Sequence, residues 1–311
     1  MSAERVWKPS AWLFVWGMST SLLIESCSEQ LEVGRDLAAS SAGVGGFSAP
    51  TAGNAGLAQD SGGDGGQATH RCQIAACQGK VYECGDCVDN DGDGVIDSDD
   101  PECTGPCDNT EDSYYGGIPG QNKAACREDC YFDQDSGSGN DQCYWGDECD
   151  PLSVAPSYPP SGDAQCAYDS TAKVPGSGAT CAELKATQAS ACLDYCLPIT
   201  PNGCDCFGCC ELPADSGQFV SIGSASQNAG TCDAAHVNDP AACHPCTPVT
   251  SCFNACDPCE VCVGRAAPLP GCASSGSTRC PPNQAPCGQA GEADCGAGEY
   301  CITGCCAAAP R

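Results

Sequence analysis

The chain has 311 residues, of which 33 are cysteines, and its formal net charge is −29. From Cys72 onward only 26 of 240 residues are Leu, Ile, Val or Phe, too few to bury a core that offsets the entropy of ordering the chain, which excludes an ordinary hydrophobic-core domain. The acidic charge argues against nucleic acid or an anionic membrane surface as a partner.

Cysteine replaces the missing aliphatic residues: 32 of those 240 residues are Cys. This density is typical of exported disulfide scaffolds, in which each bridge stabilises the fold by roughly 2–4 kcal/mol. We therefore predict a small disulfide-rich fold that is mostly irregular, with short helices and hairpins and little hydrophobic core. Such a fold requires an oxidising compartment, so we expect the chain to be exported.

The N-terminus provides a route for export. Arg5 and Lys8 precede a mostly apolar stretch over residues 11–24. Fourteen residues are too few to span a bilayer comfortably, and the pattern matches the core of a secretory signal peptide. We predict a signal peptide over residues 1–26.

The segment "LIESC" over residues 23–27 resembles the lipobox of bacterial lipoproteins, with Ile24, Ser26 and Cys27 at matching positions and Glu25 as a departure. The resemblance implies that Cys27 carries lipid and is the mature N-terminus. The protein would then be a lipoprotein of the outer membrane or cell surface and would touch the membrane only through this anchor. The alternative is cleavage beside the small residues Ser26 and Ser28, which gives a secreted soluble protein.

The rest of the chain divides by composition. The 32 later cysteines fall into three groups of even number, so each group could close on itself, although connectivity cannot be read from sequence. We predict a flexible Gly/Ala/Ser tether over 27–71, an acidic Cys-rich module over 72–150, a Pro-rich connector over 151–165, a second Cys-rich module over 166–272 and a six-cysteine knot over 273–311.

The first Cys-rich module contains an acidic loop, residues 87–100, with six aspartates. Numbered from Asp89, the loop has EF-hand spacing: alternate carboxylates that point to one centre, and Gly94 at the sharp turn. Such a loop suits Ca²⁺, which accepts six to eight oxygen ligands in flexible geometry, better than Mg²⁺, which requires a strict octahedron. The alternative is a solvated acidic turn without an ion. The predicted ligands are Asp89, Asp91, Asp93, the backbone carbonyl of Val95, Asp97 and Asp100.

No long helix flanks this loop, because cysteines bracket it. The segment "CGDCVDNDGDGVIDSDDPEC" over 84–103 resembles the D-x-D-x-D-G segments of thrombospondin type 3 repeats and dockerins. It is still more similar to an element of exported Cys-rich proteins from myxobacteria and their relatives, which has Gly where this chain has Cys87. The resemblance implies a calcium-stabilised surface module and brings no activity with it.

Two further patterns lie downstream. A second acidic cluster surrounds two glycines and is a weaker metal candidate. The alternative is a flexible Gly/Ser turn. The residues of the cluster are Asp133, Asp135 and Asp141.

Thr180 and Glu183 have the spacing of a capping box and predict a helix that continues to the proline at 198. Cys192 and Cys196 share one face of that helix and would tie it to a loop at two points, and residues 126–130 repeat the spacing.

Several C-x-x-C pairs could bind zinc or an iron–sulfur cluster in a reducing compartment. In an exported chain they favour disulfides instead, so Zn²⁺ is the lesser expectation. The best zinc candidates are Cys243 and Cys246, with His236 and His244 nearby.

No catalytic motif accompanies the three histidines of the chain, so we predict no enzyme. The leading hypothesis is a calcium-binding, disulfide-stabilised surface lipoprotein that acts as an adhesion or interaction module for an unknown surface or extracellular ligand. The first alternative is a thiolate protein that sequesters zinc or copper. The second is a secreted enzyme of an unrecognised type.

Overall fold

The structure is a computed structural model. The signal peptide, Cys27 and the tether predicted over 1–71 lie outside its described residues, as do Asp135 and most of the connector. The described residues all belong to one unit, Asp64–Arg311. They are 72–117, 129–133, 141–152, 168–174, 176–226, 229–265, 267–270, 272, 280–289 and 291–310.

Regular structure is short and scattered, as the high glycine and proline content predicts. The two α-helices described are α1 (Cys181–Ala186) and α2 (Ser190–Tyr195), and neither is long or apolar enough to cross a membrane. The 3₁₀ helices are Glu83–Gly85, Asp97–Asp99, Tyr131–Asp133, Asp147–Cys149, Leu197–Ile199 and Thr250–Cys252.

The described strands form one four-stranded sheet and three two-stranded hairpins. The sheet is antiparallel and has the spatial order Phe219–Ser221, Cys209–Glu211, Cys204–Asp205 and Phe253–Asn254, and the hairpins are antiparallel as well. The strands are β1 (Ala76–Cys77), β2 (Lys80–Val81), β3 (Cys204–Asp205), β4 (Cys209–Glu211), β5 (Phe219–Ser221), β6 (Ala225–Ser226), β7 (Ala229–Gly230), β8 (Phe253–Asn254), β9 (Glu299–Ile302) and β10 (Cys305–Ala308).

The helix predicted after Thr180 is present at its start and wrong in its length. The capping box forms, because Thr180 and Glu183 exchange side-chain and backbone hydrogen bonds. The helix ends at Ala186, since Thr187 is extended, and α2 starts separately at Ser190. The buried side chain of Gln188 fills the break, where it donates to the carbonyls of Leu184 and Tyr144 at 3.1 and 2.9 Å.

All thirty cysteines in the described residues form disulfides, fifteen bridges in total. This confirms the predicted disulfide-rich fold and indicates an extracytoplasmic protein, because such bridges persist in oxidising compartments. The six cysteines of the C-terminal segment pair with one another, as Cys280–Cys305, Cys287–Cys301 and Cys295–Cys306.

The first two Cys-rich segments do not close on themselves, although their even cysteine counts allowed it. Three bridges cross between them: Cys130–Cys196, Cys143–Cys192 and Cys149–Cys181. Cys192 and Cys196 are one turn apart at α2, so the expected two-point attachment of a helix to a loop is confirmed. The loop that these two bridges hold belongs to the first Cys-rich segment, whereas α2 belongs to the second.

The core of the described residues is built largely from cysteine and aromatic side chains. Twelve of the thirty residues in the buried apolar cluster are cysteines, and all twelve are bridged. Among the rings, Trp145 and Phe207 pack with centroids 6.2 Å apart. The fully buried carboxylate of Asp205 accepts hydrogen bonds from the backbone N–H groups of Phe207, Cys209 and Val249, so it holds two chain segments together where a larger domain would use aliphatic packing.

Candidate metal centre

The predicted calcium loop is tightly curved, and its own side chains hold the curve. Asp89 accepts hydrogen bonds from the backbone N–H groups of Gly92 at 2.7 Å and Gly94 at 3.2 Å. Both glycines have positive φ, +84° and +97°, a conformation that strains a residue with a side chain. The expected role of Gly94 at the turn is therefore confirmed.

Three predicted ligands come together on this curve. Carboxylate oxygens of Asp89, Asp91 and Asp93 lie within 4.8 Å of one another, and all three residues are exposed. Asp91 also accepts from the Asp93 N–H, and Asp93 accepts from the N–H of half-buried Val95. The alternating spacing thus produces a convergent, solvent-facing set of oxygens.

Asp97 is placed differently from these three. It is buried, and both of its carboxylate oxygens accept from the backbone N–H of Cys87, at 3.3 and 3.1 Å. Burial raises the pKa of Asp97 to about 6. Its side chain therefore closes the base of the loop.

Asp100 is also buried, and its two oxygens differ in their hydrogen bonding to the described residues. Oδ1 accepts from the backbone N–H of Glu102 at 2.7 Å, whereas Oδ2 has no hydrogen-bond partner among the described residues. Burial raises the pKa of Asp100 to about 7, and the carboxyl group of Glu102 beside it raises this pKa further, through a side-chain contact and through its charge. A buried carboxylate oxygen without a partner is costly, so Asp100 is a natural place for a cation or a proton.

Glu111 holds both ends of the loop, and the sequence reasoning did not include it. Its side chain is buried, Oε2 accepts from the N–H of Asn90 at 2.7 Å, and Oε1 accepts from the N–H of Asp97 at 2.8 Å. Glu111 lies outside the twelve-residue motif, so motif spacing could not reveal it. The sequence offers no specific signal for it, because Glu102, Asp108 and Asp112 are other acids in the same stretch.

Two disulfides fix the loop to the fold around it. Cys72–Cys87 holds its start, and Cys84–Cys103 joins the residues just before and just after it. Cys87, which departs from the glycine of the similar exported element, has a positive φ of 66° and is used for a bridge. The loop is therefore covalently closed at its base.

The second predicted cluster is partly described. Asp133 and Asp141 are buried, with carboxylate oxygens within 4.8 Å of each other, and Asp135 lies outside the described residues. Asp129, which the sequence reasoning missed, is buried beside them. Burial, followed by the charge of Asp141, raises the pKa of Asp129 to about 8.

The zinc candidates do not come together as thiolates. Cys243 is bridged to Cys232, and Cys246 is bridged to Cys209. His236 contacts Asp233 through Nδ1 at 2.7 Å. Since every cysteine in the described part of the chain is in a disulfide, the thiolate sequestration alternative has no described thiolate to use.

No protein-family model, curated protein or solved structure matches this chain. The chemistry of the residues and their placement therefore provide the basis for a function.

Proposed function

We propose that this extracytoplasmic, disulfide-rich protein is a non-enzymatic, calcium-binding surface lipoprotein that serves as an adhesion or interaction module. Cys27 would carry the lipid anchor, and the tether over 27–71 would separate the folded part from the membrane. The calcium ion would occupy the loop over Asp89–Asp100 and fix the shape of an exposed acidic surface that a partner contacts.

The observation that supports this proposal most is the convergence of Asp89, Asp91 and Asp93. Three carboxylates within 4.8 Å repel one another unless a cation or dissolved salt offsets their charge. The unpartnered Oδ2 of Asp100 supplies a further oxygen at the end of the same loop. These are the hard, anionic ligands that Ca²⁺ prefers in flexible loops.

Thermal unfolding of the Asp93→Ala variant tests the proposal. Calcium at about 100 times its dissociation constant stabilises a one-site protein by about 2.7 kcal/mol, so the wild type should melt well above the variant when calcium is present. In chelator that gap should close, because the missing carboxylate then has no ion to bind, and because the lost hydrogen bond from the Val95 N–H and the relieved charge repulsion act in opposite directions. The matched control is Asp99→Ala, which removes one charge from the same loop at a position outside the ligand pattern.

Asp99→Ala should keep the calcium-dependent rise in melting temperature. If wild type and Asp93→Ala melt at the same temperature in calcium, the loop does not bind the ion and the proposal fails. Loss of the rise in both variants would mean that general negative charge, and no specific ligand set, is responsible.

A further inference from the structure

A second group of acids, Asp129, Asp133 and Asp141, lies in the protein interior. Their exposed fractions are 3%, 1% and 2%. Burial of three carboxylates together is expensive, since each charged group loses its hydration and is repelled by the other two. Such a group therefore requires a specific reason to persist.

The disulfides at α2 bring these acids together. Asp129 precedes Cys130, which is bridged to Cys196, and Asp141 lies two residues before Cys143, which is bridged to Cys192. Because Cys192 and Cys196 are one helical turn apart, the two chain segments are held side by side. Asp133 ends the 3₁₀ helix Tyr131–Asp133, whose first residue is fixed by a 2.8 Å backbone hydrogen bond to Cys206.

The two oxygens of Asp141 differ in their hydrogen bonding to the described residues. Oδ1 accepts from the backbone N–H of Cys143 at 3.2 Å, whereas Oδ2 is buried without a hydrogen-bond partner among the described residues. Asp129 and Asp133 make other interactions as well. Carboxylate oxygens of Asp133 and Asp141 lie within 4.8 Å of each other, and the carboxyl group of Asp129 is in hydrogen-bond contact with that of Asp141.

We propose that Asp129, Asp133 and Asp141 form a second, buried calcium site, separate from the exposed loop. Calcium–oxygen distances are about 2.3–2.6 Å, so one ion can reach two oxygens that are up to 4.8 Å apart. The nearby sulfur of Cys130 is bridged and is no ligand. An all-oxygen set favours a hard cation over zinc or copper.

The exposed loop and the buried site can be counted separately. Equilibrium dialysis of the full exported chain against radioactive calcium, at about 5 mM free ion, should give two ions per wild-type chain, since extracellular sites typically have dissociation constants of about 10⁻⁴–10⁻³ M. Asp93→Asn should bind one ion, and Asp141→Asn should bind one. The double variant should bind none.

Asp194→Asn is the matched control, because it removes one negative charge from an exposed position on α2 itself. It should bind two ions. If Asp141→Asn does not form its disulfides, the Asp93→Asn protein alone decides: one bound ion supports the buried site, and none overturns it.

An unchanged count in correctly bridged Asp141→Asn would also overturn the buried site, and a proton held between the carboxyl groups would then explain their burial. Failure of the exposed loop gives a different pattern, since wild type and Asp93→Asn would then bind the same number of ions. The two proposals can thus fail independently.

Discussion

Glu111 shows how one buried carboxylate can organise a loop of exposed ones. Its two oxygens accept hydrogen bonds from Asn90 and Asp97, which are seven residues apart in the loop. This arrangement fixes the second and ninth positions of the loop and leaves the carboxylates of Asp89, Asp91 and Asp93 free to face solvent. Glu111 therefore positions the candidate ligands without being one of them in this structure.

Glu111→Gln should weaken both the fold and calcium binding. Glutamine has nearly the same shape, but its amide nitrogen cannot accept a hydrogen bond, so one of the two loop N–H groups loses its partner at a cost of about 1–3 kcal/mol. We expect a calcium affinity reduced about tenfold, measured by calcium titration of the melting temperature. The control, Asp112→Asn, removes a charge from the exposed neighbour and should leave both quantities near wild type; identical behaviour of the two variants would contradict the role of Glu111.

At the scale of single residues, the sequence predicted those side-chain positions that depend only on spacing within the loop. Asp89, Asp91 and Asp93 converge because alternation and glycine turns act within six residues. Asp97 faces the backbone of Cys87, which spacing alone could not show, because its orientation depends on the bridge Cys72–Cys87 and on Glu111.

Among the elements, the pair α1 and α2 depends on one glutamine. Gln188 accepts from the N–H of Tyr144 at 3.2 Å and donates to the carbonyls of Tyr144 and Leu184. Gln188 thereby ends α1 and attaches the helix pair to the segment around Tyr144, 44 residues earlier in the chain. The capping box was predictable because its two residues are neighbours, whereas this break depends on a distant partner.

Gln188→Ala should destabilise the protein by about 2–4 kcal/mol, because the three hydrogen bonds made by this buried side chain are lost. Urea unfolding with the disulfides intact measures this loss. Thr187→Ala, an exposed substitution in the same break, is the control and should change stability by less than about 0.5 kcal/mol. A cost for Gln188→Ala no greater than that of the control would show that the break needs no support from Gln188.

For the whole molecule, covalent links take over from apolar packing. Composition predicted this, since cysteine exceeds the four main core-forming residue types after residue 71. Composition could not predict which cysteines pair. The bridges at Cys192 and Cys196 join segments that even cysteine counts had suggested were separate, because pairing is set by the folded geometry and parity holds for many connectivities.

The number of free thiols tests this architecture directly. The chain has 33 cysteines, and thirty of them are in described bridges, which leaves three: Cys27, Cys126 and Cys166. Alkylation of the exported protein in denaturant, without reductant, should therefore modify no more than three cysteines per chain by mass spectrometry. A sample reduced beforehand is the control for complete access, and a larger count in the unreduced sample would contradict the bridged fold.

The three bridges that cross the middle of the chain also change what a single backbone cut can do. Between Asp150 and Tyr168, the backbone joins the N-terminal half of the folded part to its C-terminal half. The three bridges join the same two halves covalently a second time. A protease that hydrolyses one bond there leaves the fragments linked through Cys130, Cys143 and Cys149. An extracytoplasmic protein with these bridges can thus be cut once and still keep its pieces, together with the acidic surfaces they carry, attached as one particle.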